Sequence, residues 1–158
     1  MTPKVQLTPQ QMAMAASCGT QRFLQSLFNG RRNDGVPEDE RWSADIGGAL
    51  GEMILAKSLN VFWTAGINTF KLPDVGPFQV RHTFRFNGRL IIRPRDWLEC
   101  PREKFILTRG LGPEFEVCGW VLGEEGKLLG KTNEQNGRSP AQFIDASDLH
   151  GVETLILG

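Results

Sequence analysis

The apolar residues of this chain change their period once, at Asn60, and that change limits what it can fold into. Before it, apolar side chains recur three and four apart; after it they alternate. In "TPQQMAMAASCGTQRFLQSLFNG", Thr8 suits a helix cap and Pro9 the first helical position. Gln11 completes a capping box, Met12, Ala16, Phe23, Leu27 and Phe28 share a face, and Gly30 closes the end. A polar loop, "RRNDGVPEDER", separates this helix from a second that starts near Ser43. Ile46, Leu50, Met53 and Ile54 form its apolar face, and Asn60 suits a left-handed terminator. Gly47, Gly48 and Gly51 inside it each cost about 1 kcal/mol relative to alanine. Something must pack closely enough against that helix to offset the cost.

Beyond Asn60, "VFWTA", "INTFKL", "PFQVRHTFRF", "RLIIRP", "KFILT" and "FEVCGWVLG" read as strands. Asn87-Gly88 between two β-prone runs predicts a hairpin. The remainder holds a loop, a short strand around Phe143 and a terminal helical turn. Helices followed by strands give an α+β fold, with N-terminal helices packed on a mixed, mostly antiparallel sheet. At 158 residues the chain fits one domain.

Glu52 is the odd residue of the second helix, because Gly48, Ala49 and Ala56 surround it with a stripe of small side chains. A carboxylate there needs a partner or the edge of a cleft. Asp45 lies on the same side. Along the next strand Phe78, Val80 and Phe84 face one way, while Gln79, Arg81 and Thr83 face the other. Asp74, between a stiff proline and the flexible Gly76, is positioned for a sharp turn that brings it beside Gln79.

A helix Glu, then an Asp, then a strand carrying an acid-x-Lys pattern is the order that this chain resembles in the PD-(D/E)xK nuclease superfamily. More closely, "GALGEMILAKSLN", "NTFKLPDVGPFQVRHTFRFNGRLIIRPRD" and "FEVCGWVLG" are similar to small tailed-bacteriophage proteins assigned to it. The resemblance covers about residues 43–123, leaving a helical extension (about 8–30) and a tail (124–158) within a single domain. It implies a restriction-endonuclease-like αβββαβ core, a Mg2+ (or Mn2+) cofactor, DNA as substrate and, by analogy, a homodimer. Glu52 and Asp74 match the carboxylates, Gln79 the second acidic position and Arg81 the lysine. With Val80 lending its carbonyl, Asp74, Gln79 and Glu52 would surround the ion with hard oxygens.

Two positions depart from the pattern. Gln79 keeps an oxygen and removes a charge worth roughly 4 kcal/mol at about 4 Å and an effective dielectric near 20. Arg81 stays charged where lysine can titrate, and offers a fork suited to phosphate. The expected activity is phage-type endonucleolytic hydrolysis of DNA, possible substrates including branched or recombination intermediates. The alternative keeps the fold and discards the reaction: a DNA- or protein-binding accessory protein, for example one acting against host defences.

The formal net charge is zero, so contact with DNA must come from a local patch. Arg81, Arg85, Arg89, Arg93 and Arg95 provide one if the hairpin places them on a single face. His82 reads as a core or dimer-contact histidine, His150 as a tail residue, and Asp96 as a turn residue or an extra site carboxylate. Trp42, Trp63, Trp97 and Trp120 read as structural aromatics. Ser17, Ser43 and Ser139 lack any nucleophile-elbow context. Cys18, Cys100 and Cys118 are too dispersed for a zinc site. No signal-like or membrane-spanning run is evident, which predicts a cytoplasmic protein without membrane contact.

Overall fold

The computed structural model describes residues 2–31, 36–67, 72–133 and 140–155. The elements are β1 (Lys4–Gln6), α1 (Pro9–Phe28), α2 (Arg41–Leu59), β2 (Phe78–Thr83), β3 (Leu90–Ile92) and α3 (Pro94–Glu99). After them come β4 (Lys104–Arg109), β5 (Glu114–Leu122), α4 (Gly123–Leu129), β6 (Lys131–Asn133) and β7 (Ala141–Ile144). The fold is α+β. A mixed sheet runs β1-β5-β4-β2, and a smaller antiparallel sheet runs β3-β7-β6.

Local signals set the two long helices. Thr8 Oγ1 accepts the Gln11 N–H at 3.1 Å, and Gln11 Oε1 accepts the Thr8 N–H at 2.9 Å, closing the capping box. Asn60 ends α2 in the left-handed region at φ 54°. A 3-10 turn over Glu38–Glu40 precedes α2, so the helix starts two residues before Ser43, whose hydroxyl donates to the Glu40 carbonyl.

The main sheet is covered on both faces. Leu50, Met53 and Ile54 of α2 pack with Phe78, Val80, Ile106, Phe115 and Val117 in one core. Phe105, Leu107 and Val121 meet Leu90, Ile92 and Ile144 in the other. Four consecutive residues of β4, from Phe105 to Thr108, are buried, as expected of an interior strand covered on both sides. Gly51 explains the close approach that the sequence demands: a Cβ there would meet His82 Cβ and Thr108 Oγ1, each at 2.8 Å. At Gly47 the neighbour is the Phe84 ring at 3.1 Å, whereas Gly48 faces open space.

The hairpin does not form. β2 runs parallel to β4, and β3 joins the other sheet beside β7. The reason is a shortage of free edge. One side of β2 is taken by β4, and the other is closed by the chain before it, where Asp74 N–H bonds the Phe78 carbonyl at 2.9 Å. Asn87-Gly88 belongs instead to a turn in which Gly88 N–H bonds the Arg85 carbonyl. "VFWTA" forms no strand, its Ala65 standing in the left-handed region at φ 51°, and most of "INTFKL" lies outside the described residues. Helices α3 and α4 occupy stretches that read as turn and loop.

Candidate functional site

Glu52 is buried, with 6 % of its surface exposed, and its charge is matched. Arg22 of α1 grips it with both terminal nitrogens: Nη2 donates to Oε1 at 2.9 Å and Nη1 to Oε2 at 2.5 Å. Trp63 Nε1–H donates to Oε1 at 3.2 Å, and Arg22 Nε–H reaches the Gly66 carbonyl at 2.8 Å. The 61–66 segment thus serves as a clamp over this pair rather than as a strand. Beside it, a groove of about 540 Å3 runs between α1 and that segment, with Met14, Ser17, Gln21 and Trp63 in its wall.

Asp74 sits at the edge of β2 away from β4. Gly76 (φ 52°) supplies the sharp turn, and Asp74 Oδ2 accepts the Val80 N–H at 2.8 Å, covering an edge donor that β4 cannot reach. Burial first, and then the negative charge of Glu52, push the Asp74 carboxyl up to about 6; the Val80 N–H, Arg81 and Arg22 oppose that rise. Asp74 is thus a group on which the charges of Glu52, Arg22 and Arg81 are all felt.

Gln79 and Arg81 leave β2 on the face opposite Val80 and α2. Gln79 Nε2 donates to Glu103 Oε2 at 2.9 Å, which sets a carboxylate against the position where the sequence lacks one. Arg81 lies over the Phe105 ring at 5.0 Å and donates to Asp96 Oδ1 at 3.0 Å and to the Val80 carbonyl at 3.3 Å. Asp96 is neither a turn residue nor exposed: it is buried in the first turn of α3, where Oδ2 accepts the Arg93 N–H at 2.9 Å. The four motif residues thus divide, with Glu52 on the α2 side, Gln79 and Arg81 on the other, and Asp74 at the edge between them. Among the described residues, no three of His, Cys, Asp and Glu gather as a metal-holding group.

Without a hairpin the arginines share no single face. Arg89 pairs with Asp145 at 3.9 Å and lies over Phe143; Arg95 pairs with Glu99 at 3.2 Å along α3. Arg85 is exposed in the turn after β2, and Arg93 caps α3. His82 is a satisfied core histidine. The Gly110 carbonyl only accepts, so Nε2–H donates to it at 3.0 Å, and Nδ1 accepts from the Thr108 hydroxyl at 2.9 Å. Burial pushes its pKa down to about 4. His150 meets Glu125 at 3.1 Å and packs against Trp120, whose indole N–H reaches Thr154 Oγ1 at 2.9 Å. Trp42 packs on Phe23 and Trp97 in the second core. The three cysteines are free thiols, Cys100 and Cys118 both pushed up to about 11, chiefly by burial. Ser139 lies outside the described residues.

Arg22 and Glu103 are the site residues that sequence reading misses. Arg22 carries one available signal: it is the sole charged residue of the twenty in α1, which marks it as answering a charge elsewhere. No described helix is long and apolar enough to cross a membrane. No protein-family model, curated protein or solved structure matches this chain.

Proposed function

We propose that this chain is a divalent-cation-dependent DNA nuclease, phage-type, built on the PD-(D/E)xK pattern its motif order resembles. The observation that carries the reading is Asp74, a largely buried carboxylate at the edge of β2 held by one backbone N–H. Burial first, and the charge of Glu52 second, raise its carboxyl to about 6, and a cation beside it would relieve both. Its hard oxygens suit magnesium or manganese, and the Glu103 carboxylate beside Gln79 returns a charge to that side of the strand. When bound, the ion would supply Lewis-acid charge for phosphodiester hydrolysis.

The chain's own side chains would do the rest. Glu52 and Asp74 supply the negative field. Arg81, held over Phe105 and steered by Asp96, would present a planar fork to a phosphodiester oxygen. Arg22 lends a second positive charge on the α2 side. Incubating the protein with linear, branched and single-stranded DNA in Mg2+ or Mn2+ tests this. Cleavage that vanishes in EDTA and in Asp74→Ala is expected; equal products from wild type and Asp74→Ala would overturn it.

One observation favours a second reading, that of a degenerate, binding-only protein. Glu52 already holds Arg22, and Arg81 already holds Asp96, so both residues are satisfied without ion or substrate. On that reading the protein binds DNA or another protein with an affinity indifferent to EDTA.

A further inference from the structure

The single charged residue of α1, Arg22, is turned inward to Glu52 and the Gly66 carbonyl, so every exposed residue of this helix is uncharged. Among the exposed ones, Gln10, Met14, Ser17, Gln21, Leu24 and Phe28 follow one another at alternating intervals of four and three. That spacing averages about 3.5 residues and keeps them in one seam along roughly 30 Å of helix. The helix is already packed through other residues: Ala15, Cys18, Gly19 and Phe23 are buried, with Gly19 against the α2 backbone at Ile46. The seam is thus a second face, and the described residues leave it uncovered.

We infer that this seam is the contact face for a second copy of the chain, with the two α1 helices antiparallel. An antiparallel pair centred level with Gly19 sets Met14 opposite Leu24 and Ser17 opposite Gln21 in each half of a two-fold contact. Apolar then meets apolar, and polar meets polar. Gln10 and Phe28, the mismatched pair, fall at the ends of the seam, where solvent reaches the amide. A two-fold contact also brings any charge near its axis against its own copy, so an uncharged face suits self-association. The relief agrees with that register. Met14, Ser17 and Gln21 help to wall the groove of about 540 Å3, whereas Phe28, toward the other end, stands 85 % exposed. The ridge of one copy therefore lies along the groove of the other, twice. A membrane surface fits less well, because half the seam is amide or hydroxyl and no Lys or Arg flanks it on the exposed face for headgroups. A seam roughly 10 Å wide covers on the order of 300 Å2 a side, short of the roughly 800 Å2 of a standard interface, so the dimer is a weak one.

Sedimentation equilibrium tests this without reference to the nuclease reading. Wild type is expected to dimerise with a dissociation constant on the order of 10–100 μM. Met14→Lys and Leu24→Glu change exposed side chains, so each should keep the wild-type far-UV spectrum and urea midpoint, measured on dilute protein. Each should weaken association at least about tenfold, by setting an unpaired charge in the seam. Mixed one to one, the two variants should associate again. The antiparallel register sets the introduced ammonium against the introduced carboxylate in one half of the contact and leaves Met14 opposite Leu24 in the other. Wild type that stays monomeric, dimers that both variants leave intact, or a mixture as weak as its components would each overturn the inference. Monomers that bind phosphatidylcholine vesicles, and lose that binding in both variants, would overturn it too and give the seam to a membrane.

Discussion

Glu52 and Asp74 read alike in the sequence, yet they occupy opposite electrostatic situations. Glu52 is deeply buried and matched by an arginine that grips both its oxygens. Asp74 is less enclosed, has one backbone N–H for support and lies in the field of a second carboxylate. A matched buried charge contributes to the fold; a mismatched one is tolerated for some other reason, and function is the ordinary one. The comparison breaks most sharply on the matched side. Arg22→Met should cost about 3–5 kcal/mol, because it strands the Glu52 charge in the interior. Replacing both, as Arg22→Met with Glu52→Leu, should recover most of that loss. Urea unfolding of the three proteins checks both statements, and a large loss in the double variant would mean that the pair does more than satisfy itself.

The mismatched side predicts the reverse sign. The folded protein binds the Asp74 proton more tightly than the unfolded chain, its carboxyl being raised from 3.8 to about 6. Stability from this group is therefore present at low pH and lost as pH rises through about 6. Asp74→Asn, which keeps an oxygen for the Val80 N–H, should stabilise the protein at pH 7 by up to about 3 kcal/mol while abolishing cleavage. The gain over wild type should shrink to nothing below about pH 4, as denaturation midpoints across pH would show. A variant less stable than wild type at pH 7 would mean that Asp74 is structural.

His82 moves the other way. Its folded pKa is depressed from 6.5 to about 4, so the unfolded chain takes the proton first and stability falls as pH drops through that window, by about 3 kcal/mol in full. Between pH 4 and 6 this slope opposes that of Asp74. NMR of the His82 ring should therefore show a neutral imidazole at pH 5.5, and Asp74→Asn should lose stability on acidification more steeply than wild type. A ring titrating near 6.5 would remove the opposition.

What the sequence disclosed follows the same division between local and distant causes. The Thr8 capping box, the Asn60 terminator and strands β2, β4 and β5 depend on neighbours a few residues away, and each appears where the residues indicate it. Partner choice depends on which edges are already taken. Asn87-Gly88 is a sound turn, but Asp74 had closed one edge of β2 and β4 the other, so no hairpin followed. Helix α4, "GEEGKLL", has too few apolar residues to be distinguished from a loop. The candidate site was half legible for the same reason. Its acids stand out on their own elements, but the Arg22–Glu52 and Gln79–Glu103 pairs join residues 30 and 24 apart.

The smallest expected effects separate three arginines that the sequence groups together. Arg81 is half-sunk, with an acid and an aromatic ring as partners, whereas Arg85 and Arg95 stand in solvent. The Arg95–Glu99 pair is exposed on both sides, so Arg95→Ala should change stability by no more than about 0.5 kcal/mol, as should Arg85→Ala. Any loss of DNA affinity in these two variants then reflects contact with phosphate rather than a damaged fold. Where either side chain meets DNA, its loss should weaken binding about equally across sequences and lower the salt dependence by about one counterion. Arg81→Lys differs from both in keeping the charge while losing the flat fork, so it should leave the salt slope intact and reduce cleavage. A lysine that cleaves as well as the arginine would make Arg81 one more surface charge, and would move the centre of the site back to the α2 side, with Asp74, Glu52 and Arg22.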